Sequence, residues 1–155
     1  MRGKQAKKRY IAPDDRFNSE VVSKFINYVM YDGKKSIARD IVYKAIEDLG
    51  SKTKSDPVEA LEKALSNVKP KVEVRSRRVG GANFQVPVQV NPSRQLALAF
   101  KWMIEGARSA RKTGEFWESL SRELQSAFKN EGNAVKKKEE VHRMAEANKA
   151  FSQFA

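Results

Sequence analysis

The chemistry open to this chain lies in its cations. Arg2, Lys4, Lys7, Lys8 and Arg9 stand in the first ten residues with no acid among them. Further clusters follow at Lys34 and Lys35, at Arg75, Arg77 and Arg78, at Arg94, at Arg108, Arg111 and Lys112, and at Lys136, Lys137 and Lys138. A Lys or Arg that meets a phosphate releases counterions, which gives affinity that falls steeply with salt. No catalytic constellation stands beside these clusters. His142 is the only histidine, and a lone imidazole without a nucleophile or metal partner reads as a surface or partly packed side chain. Glu139 and Glu140 are adjacent and point to different sides of a helix, so they form no acid–base pair. The Gly80-Gly81 pair lacks the Lys-Ser/Thr of a phosphate-binding loop and precedes a strand, so it is a turn. The expected protein is therefore not an enzyme and carries no cofactor and no metal.

The stretch that must position the central arginines is Lys71 to Val90. Val72 and Val74 alternate with Glu73 and Arg75, and Phe84, Val86, Val88 and Val90 alternate with Gln85, Pro87 and Gln89. Such alternation around a glycine pair predicts a β-hairpin. Matching the apolar faces requires an odd loop or one bulge, which sets Val72 and Val74 opposite Val90 and Val88. Pro87, which has no N–H, suits a two-stranded ribbon with open edges. A hairpin of roughly 25–30 Å carries its arginines towards a tip that stands clear of a small domain. An isolated pair of strands is marginal in water, so the arm must lean on something. Phe84, near the tip, could wedge against a base or cover the arm's apolar face.

The rest reads as helix. Asn18-Ser19 offers a cap, and Val21, Val22, Phe25, Ile26, Val29 and Met30 mark one helical face that stops at Asp32-Gly33. Ile37, Ile41, Val42, Ala45, Ile46 and Leu49 mark a second helix, ended by Gly50. Asp56-Pro57 starts a third, with Asp56 as cap and Pro57 in the first helical position. Asn91-Pro92-Ser93 starts a fourth, apolar nearly all round from Leu96 to Ile104 and so central to the core. Gly114 breaks it before a fifth on Phe116, Trp117, Leu120, Leu124, Ala127 and Phe128. In a sixth, after Gly132, Val141, Met144, Ala145, Asn148 and Phe151 share a side. Lys136 to Lys138 lie in its first turns, where cations oppose the helix dipole and a nearby phosphate would offset the cost. Trp102, Trp117 and Phe128 fall at packing positions rather than at base-stacking ones.

The expected fold class is mainly α: a bundle of about six helices with one protruding two-stranded β-hairpin between the third and fourth. All of residues 1–155 form a single helical domain, with a basic N-terminal arm over 1–12, the hairpin over 71–90 and a tail over 149–155. The 155 residues carry a formal net charge of +12 and a pI near 10.0, which predicts attraction to a polyanion. The absence of cysteine excludes disulfides and Cys-based metal sites. No apolar run approaches a membrane span, and the charged N-terminus has no apolar signal core, so no membrane association is expected. No helix shows polar base-readers flanked by phosphate contacts, which favours RNA recognised by shape and backbone over duplex DNA. Architectural DNA-binding proteins also insert β-arms, but with an apolar wedge, and the tip here offers Gly80, Gly81, Ala82 and Asn83. A nuclease would need clustered carboxylates for metal ions, and no such motif stands out.

Three motifs, in order, carry a resemblance: Asp32-Gly33-Lys34-Lys35, the arm VRSRRVGGANFQVPVQV at 74–90, and AVKKKEEVHRMAEANKAF at 134–151. Together they closely resemble small-subunit ribosomal protein seven of the bacterial type, from about Phe25 to Phe151. The resemblance implies a primary binder of the 3′ major domain of 16S rRNA that nucleates assembly of the small-subunit head. It implies rRNA contacts by the N-terminal arm, Lys34, Lys35, Arg75, Arg77, Arg78, Arg94 and Lys136 to Lys138; Arg108 and Arg111 join them as exposed basic positions. It implies a hairpin tip, Val79, Gly80, Gly81, Ala82, Asn83 and Phe84, facing the exit-site tRNA and the mRNA path. It further implies neighbours in the ninth and eleventh small-subunit proteins, a monomer outside the ribosome, a cytoplasmic or plastid ribosome and, in some members, repression of their own operon. This chain departs from the aromatic and basic tail of many members: its last five residues carry no cation.

Overall fold

The computed structural model describes Gly3 and residues 9–154, the side chain of residue 154 excepted. Among them six α-helices and one hairpin follow in the order α1 Glu20–Val29, α2 Lys35–Thr53, α3 Pro57–Val68, β1 Val72–Val79, β2 Ala82–Gln89, α4 Pro92–Ala110, α5 Phe116–Phe128 and α6 Asn133–Ala147. A short 3-10 helix, Lys149–Phe154, closes the described chain. The mainly helical architecture with a two-stranded antiparallel sheet between α3 and α4 is the expected one.

Local chemistry places the helix starts. Ser19 Oγ accepts the N–H of Val22 at α1. Asp56 accepts the N–H groups of Val58 and Glu59 at α3, with Pro57 in the first turn. Asn91 does the same for Arg94 at α4, ahead of Pro92. Each satisfies donors that a helix N-terminus otherwise leaves open.

All six helices contribute to one buried cluster. Phe25, Ile46, Leu61, Leu65, Phe100, Met103, Leu120 and Leu124 are each no more than 1% exposed. Phe25 stacks on Phe100 with ring centroids 5.1 Å apart. Helix α4 gives that cluster Leu98, Ala99, Phe100, Trp102, Met103, Ile104 and Ala107, but Arg94, Lys101, Glu105 and Arg108 keep one side of it in solvent, and α5, packed on α2, α3, α4 and α6, is the more central helix.

Three further expectations are corrected. Helix α2 does not end at Gly50 but runs to Thr53, where Lys54 takes the left-handed cap (φ 53°). Gly50 is needed instead for close packing: a Cβ there would sit 2.9 Å from Pro57 Cγ. The expected side of the last helix divides, because α6 ends at Ala147 and Met144 is 48% exposed, whereas Phe151 lies on the 3-10 helix and turns to the arm.

The hairpin register is the third. Val72 pairs with Gln89, Val74 with Pro87 and Val79 with Ala82, so there is neither an odd loop nor a bulge. Gly80 and Gly81 have φ of 58° and 89°, the two-residue turn whose twist matches that of the strands. Turn chemistry thus overrides face matching. Glu73, Arg75 and Arg77 share a face with Phe84, Val86 and Val88, and Val72 and Val74 share the other with Pro87 and Gln89. The buried Glu73 is tolerated on the apolar side because Arg75 and Arg94 pair with it.

Candidate nucleic-acid interface

The arm is fixed at its root and open at its tip. The Lys71 N–H donates to His142 Nε2 of α6 at 3.1 Å, and Lys71 O accepts from Val90 N–H at 3.1 Å. Burial, with the nearby charges of Lys138 and Lys71, holds the His142 imidazole below its ordinary pKa. It is therefore neutral at pH 7, as an acceptor Nε2 requires. Nearer the tip, in the third pair from the turn, Phe84 lies 5.2 Å from Phe151, ring to ring. Of the two readings of Phe84, the structure gives the covering one. Val86 beneath it is fully buried.

From Arg75 round the turn to Asn83 every residue is exposed. Arg77 pairs across the ladder with Phe84 and Arg78 with Asn83, so the two guanidinium groups leave opposite faces of the ribbon. Neither has an acidic partner among the described residues. Arg75 is different: its Nε donates to Glu73 Oε1 at 2.7 Å, and Glu73 Oε2 stands 3.4 Å from Arg94 Nε. Glu73 thus anchors two of the expected cations at the root and leaves two unopposed at the tip.

Lys34 and Lys35 are exposed on the turn into α2, where Asp32 and Gly33 are both left-handed. Helix α2 has no side-chain cap and no acid in its first turn, so its dipole and both lysines present positive potential together. Arg108 is exposed, with its guanidinium 6.0 Å from the Phe116 ring centroid. Arg111 is committed to its own loop, donating to Gly114 O at 2.9 Å.

The three lysines of α6 separate. Lys136 is exposed, Lys137 pairs with Glu140 at 2.9 Å, and Lys138 is half-buried and donates to Asn67 O at the end of α3 at 2.7 Å. The helix needs no phosphate at its N-terminus. The buried carboxylate of Glu123 accepts the Ala134 N–H there at 2.7 Å, a role that no local sequence signal announces. Arg9 is exposed, whereas Arg2, Lys4, Lys7 and Lys8 lie outside the described residues.

A second unannounced feature ties down the segment after the basic arm. Asp14, 6% exposed, accepts the N–H groups of Arg16 and Phe17 and the Tyr43 hydroxyl, the last at 2.6 Å. Burial and then that bond push the Tyr43 pKa up to about 12. Among the described residues no helix is long and apolar enough to cross a membrane.

Comparison with known proteins decides the kinship. The family model described as ribosomal protein S7p/S5e matches residues 1–149. The chain belongs to the S7p/S5e family of ribosomal proteins. Small ribosomal subunit protein uS7 of Thermosipho africanus is 56% identical over 154 residues, covering 99% of this chain and 99% of its own length. The protein of the same name from Maridesulfovibrio salexigens is 55% identical over 147 residues, 95% of this chain and 94% of its own. That from Erythrobacter litoralis is 54% identical over 153 residues, 99% and 97% respectively. The S7p/S5e family is one of ribosomal proteins, not of enzymes.

Proposed function

We propose that this S7p/S5e chain is a structural protein of the small ribosomal subunit that binds the 3′ major domain of 16S rRNA directly and nucleates assembly of the head. The observation that carries this reading is the pair Arg77 and Arg78, exposed on opposite faces of the arm with no acidic partner among the described residues. Lys34, Lys35, Arg108 and Lys136 add separated cations on the helical body. The net charge of +12 supplies long-range attraction to the phosphate backbone. In this reading Arg94 and Arg75 contact phosphate at the arm's root while sharing Glu73, and the arm over 1–12 extends the contact. Arg111, Lys137 and Lys138 contribute less, because each already serves an intramolecular bond.

The tip, Val79 to Phe84, faces the exit-site tRNA and the mRNA path. The ninth and eleventh small-subunit proteins are its neighbours, and the protein is a single-domain monomer before assembly, in a cytoplasmic or plastid ribosome. Binding its own operon's mRNA would use the same cations. Chemical footprinting of 16S rRNA with and without the protein tests the reading. Protection confined to the 3′ major domain, and lost with rising salt, is expected. Equal affinity for that RNA and for duplex DNA at physiological salt would overturn it.

A further inference from the structure

A groove of about 340 Å³ runs along the outer face of α4, walled on one side by Tyr28 of α1. Its cations, Arg94, Lys101 and Arg108, recur every seven residues, so they lie on nearly one line, successive ones ~10.5 Å apart at 1.5 Å per residue. Leu98 and Ile104, 8% and 4% exposed, lie between them. Tyr28 is 46% exposed, and its ring centroid lies 5.2 Å from that of the buried Phe100. The ring is therefore supported from within and open on the side of the groove. The one acid in the lining, Glu105, is 3.7 Å from Lys101, which leaves the groove with a net positive charge. Arg94 makes it continuous with the root of the arm through Glu73.

We propose that this groove holds one unpaired nucleotide of the bound rRNA, its base stacked on Tyr28 and its phosphate on Lys101, with Arg94 and Arg108 taking the phosphates to either side. The proposal rests on the reading of the chain as an rRNA binder and adds a base-stacking subsite to it. A volume of this size suits a small ligand. The bases of an A-form helix are stacked inside the duplex, so only a splayed-out base can reach a tyrosine ring. An exposed aromatic beside a row of cations is the combination that single-stranded RNA uses, with stacking for the base and charge for the backbone. Neither Tyr28 nor Lys101 stands out in the sequence. Tyr28 falls between the members of a core stripe, Ile26 and Val29, and Lys101 sits within a largely apolar run.

The test measures binding of the full chain to a 3′ major-domain fragment of 16S rRNA at several salt concentrations. Tyr28→Leu keeps an apolar side chain against Phe100 and removes the stacking face. It is expected to weaken binding about tenfold without changing the slope of log K against log salt, and Tyr28→Phe should restore the affinity. Lys101→Ala is expected to weaken binding and to flatten that slope by about one ion. Its side chain is 63% exposed, so it decides the matter even if Tyr28→Leu lowers the melting temperature. If both variants bind as the parent does while Arg77→Ala/Arg78→Ala binds more weakly, the groove is not an RNA subsite and the broader reading stands. If the arm variant is also unaffected, both fall.

Discussion

Glu123 of α5 accepts the N–H of Ala134 at 2.7 Å and so caps α6 from a neighbouring helix. The carboxylate is 5% exposed, and two glycines make room for it. A Cβ on Gly106 of α4 or on Gly132 ahead of α6 would come within 3.0 Å of it. The cap residue of α6 is Gly132, which offers no side-chain acceptor, and Lys136 and Lys137 follow in the first turns. The anion that this helix N-terminus calls for is thus part of the fold, and three helices meet around it.

Removing that carboxylate should destabilise the protein more than a surface change does. Glu123→Ala leaves the Ala134 N–H buried without a partner and opens a gap, so a loss of about 2–3 kcal/mol is expected by denaturant unfolding. Glu123→Gln retains an acceptor without the charge and should lose less. Equal and negligible losses for both variants would show that α6 does not depend on this contact.

Truncating a large side chain of the core gives a contrasting case. Trp102 is 7% exposed on α4. Trp102→Ala should cost ~3–5 kcal/mol, as large buried aromatic truncations do. A thermal or denaturant shift equivalent to less than about 1 kcal/mol would mean that Trp102 is not part of the packed core.

The arm should separate function from stability. Arg77 and Arg78 are exposed and make no ion pair among the described residues. Arg77→Ala/Arg78→Ala should therefore weaken rRNA binding while the unfolding free energy stays within about 0.5 kcal/mol of the parent. A large melting shift would make these arginines structural instead.

What could be read in advance divides along physical lines. The caps at Ser19, Asp56 and Asn91 and the Pro57 and Pro92 starts depend on neighbours in sequence, and local chemistry specifies them. The hairpin was legible as a hairpin, but its register was not. Face matching of Val72 and Val74 argued for one pairing and the Gly80-Gly81 turn for another, and only the partners of Glu73 show why the second is affordable. The display of Arg77, Arg78, Lys34 and Lys35 was legible because tips and turns are exposed by construction. The fates of Lys138 and His142 were not, since each bonds a backbone group 71 positions away. A row of three lysines in sequence does not reveal which one will cap another helix.

The root of the arm should respond to acid. His142 Nε2 accepts the Lys71 N–H only while the ring is neutral. Burial first, then the charges of Lys138 and Lys71, lower its pKa in the folded protein. The folded state therefore binds fewer protons than the unfolded state in the window below the unfolded value of about 6.5. The contribution of this contact is fully present above that value and is lost as the pH falls towards and through the depressed folded pKa. Hydrogen exchange at the Lys71 amide, corrected for the intrinsic pH dependence of exchange, should show protection at pH 7.5 that falls on acidification. The amides of the α4 core should keep theirs over the same range. In His142→Ala that pH dependence should vanish, with the Lys71 amide unprotected throughout. Protection of Lys71 that is equally high at both ends of the range in the parent protein would show that the arm is held at its root by the strand ladder alone.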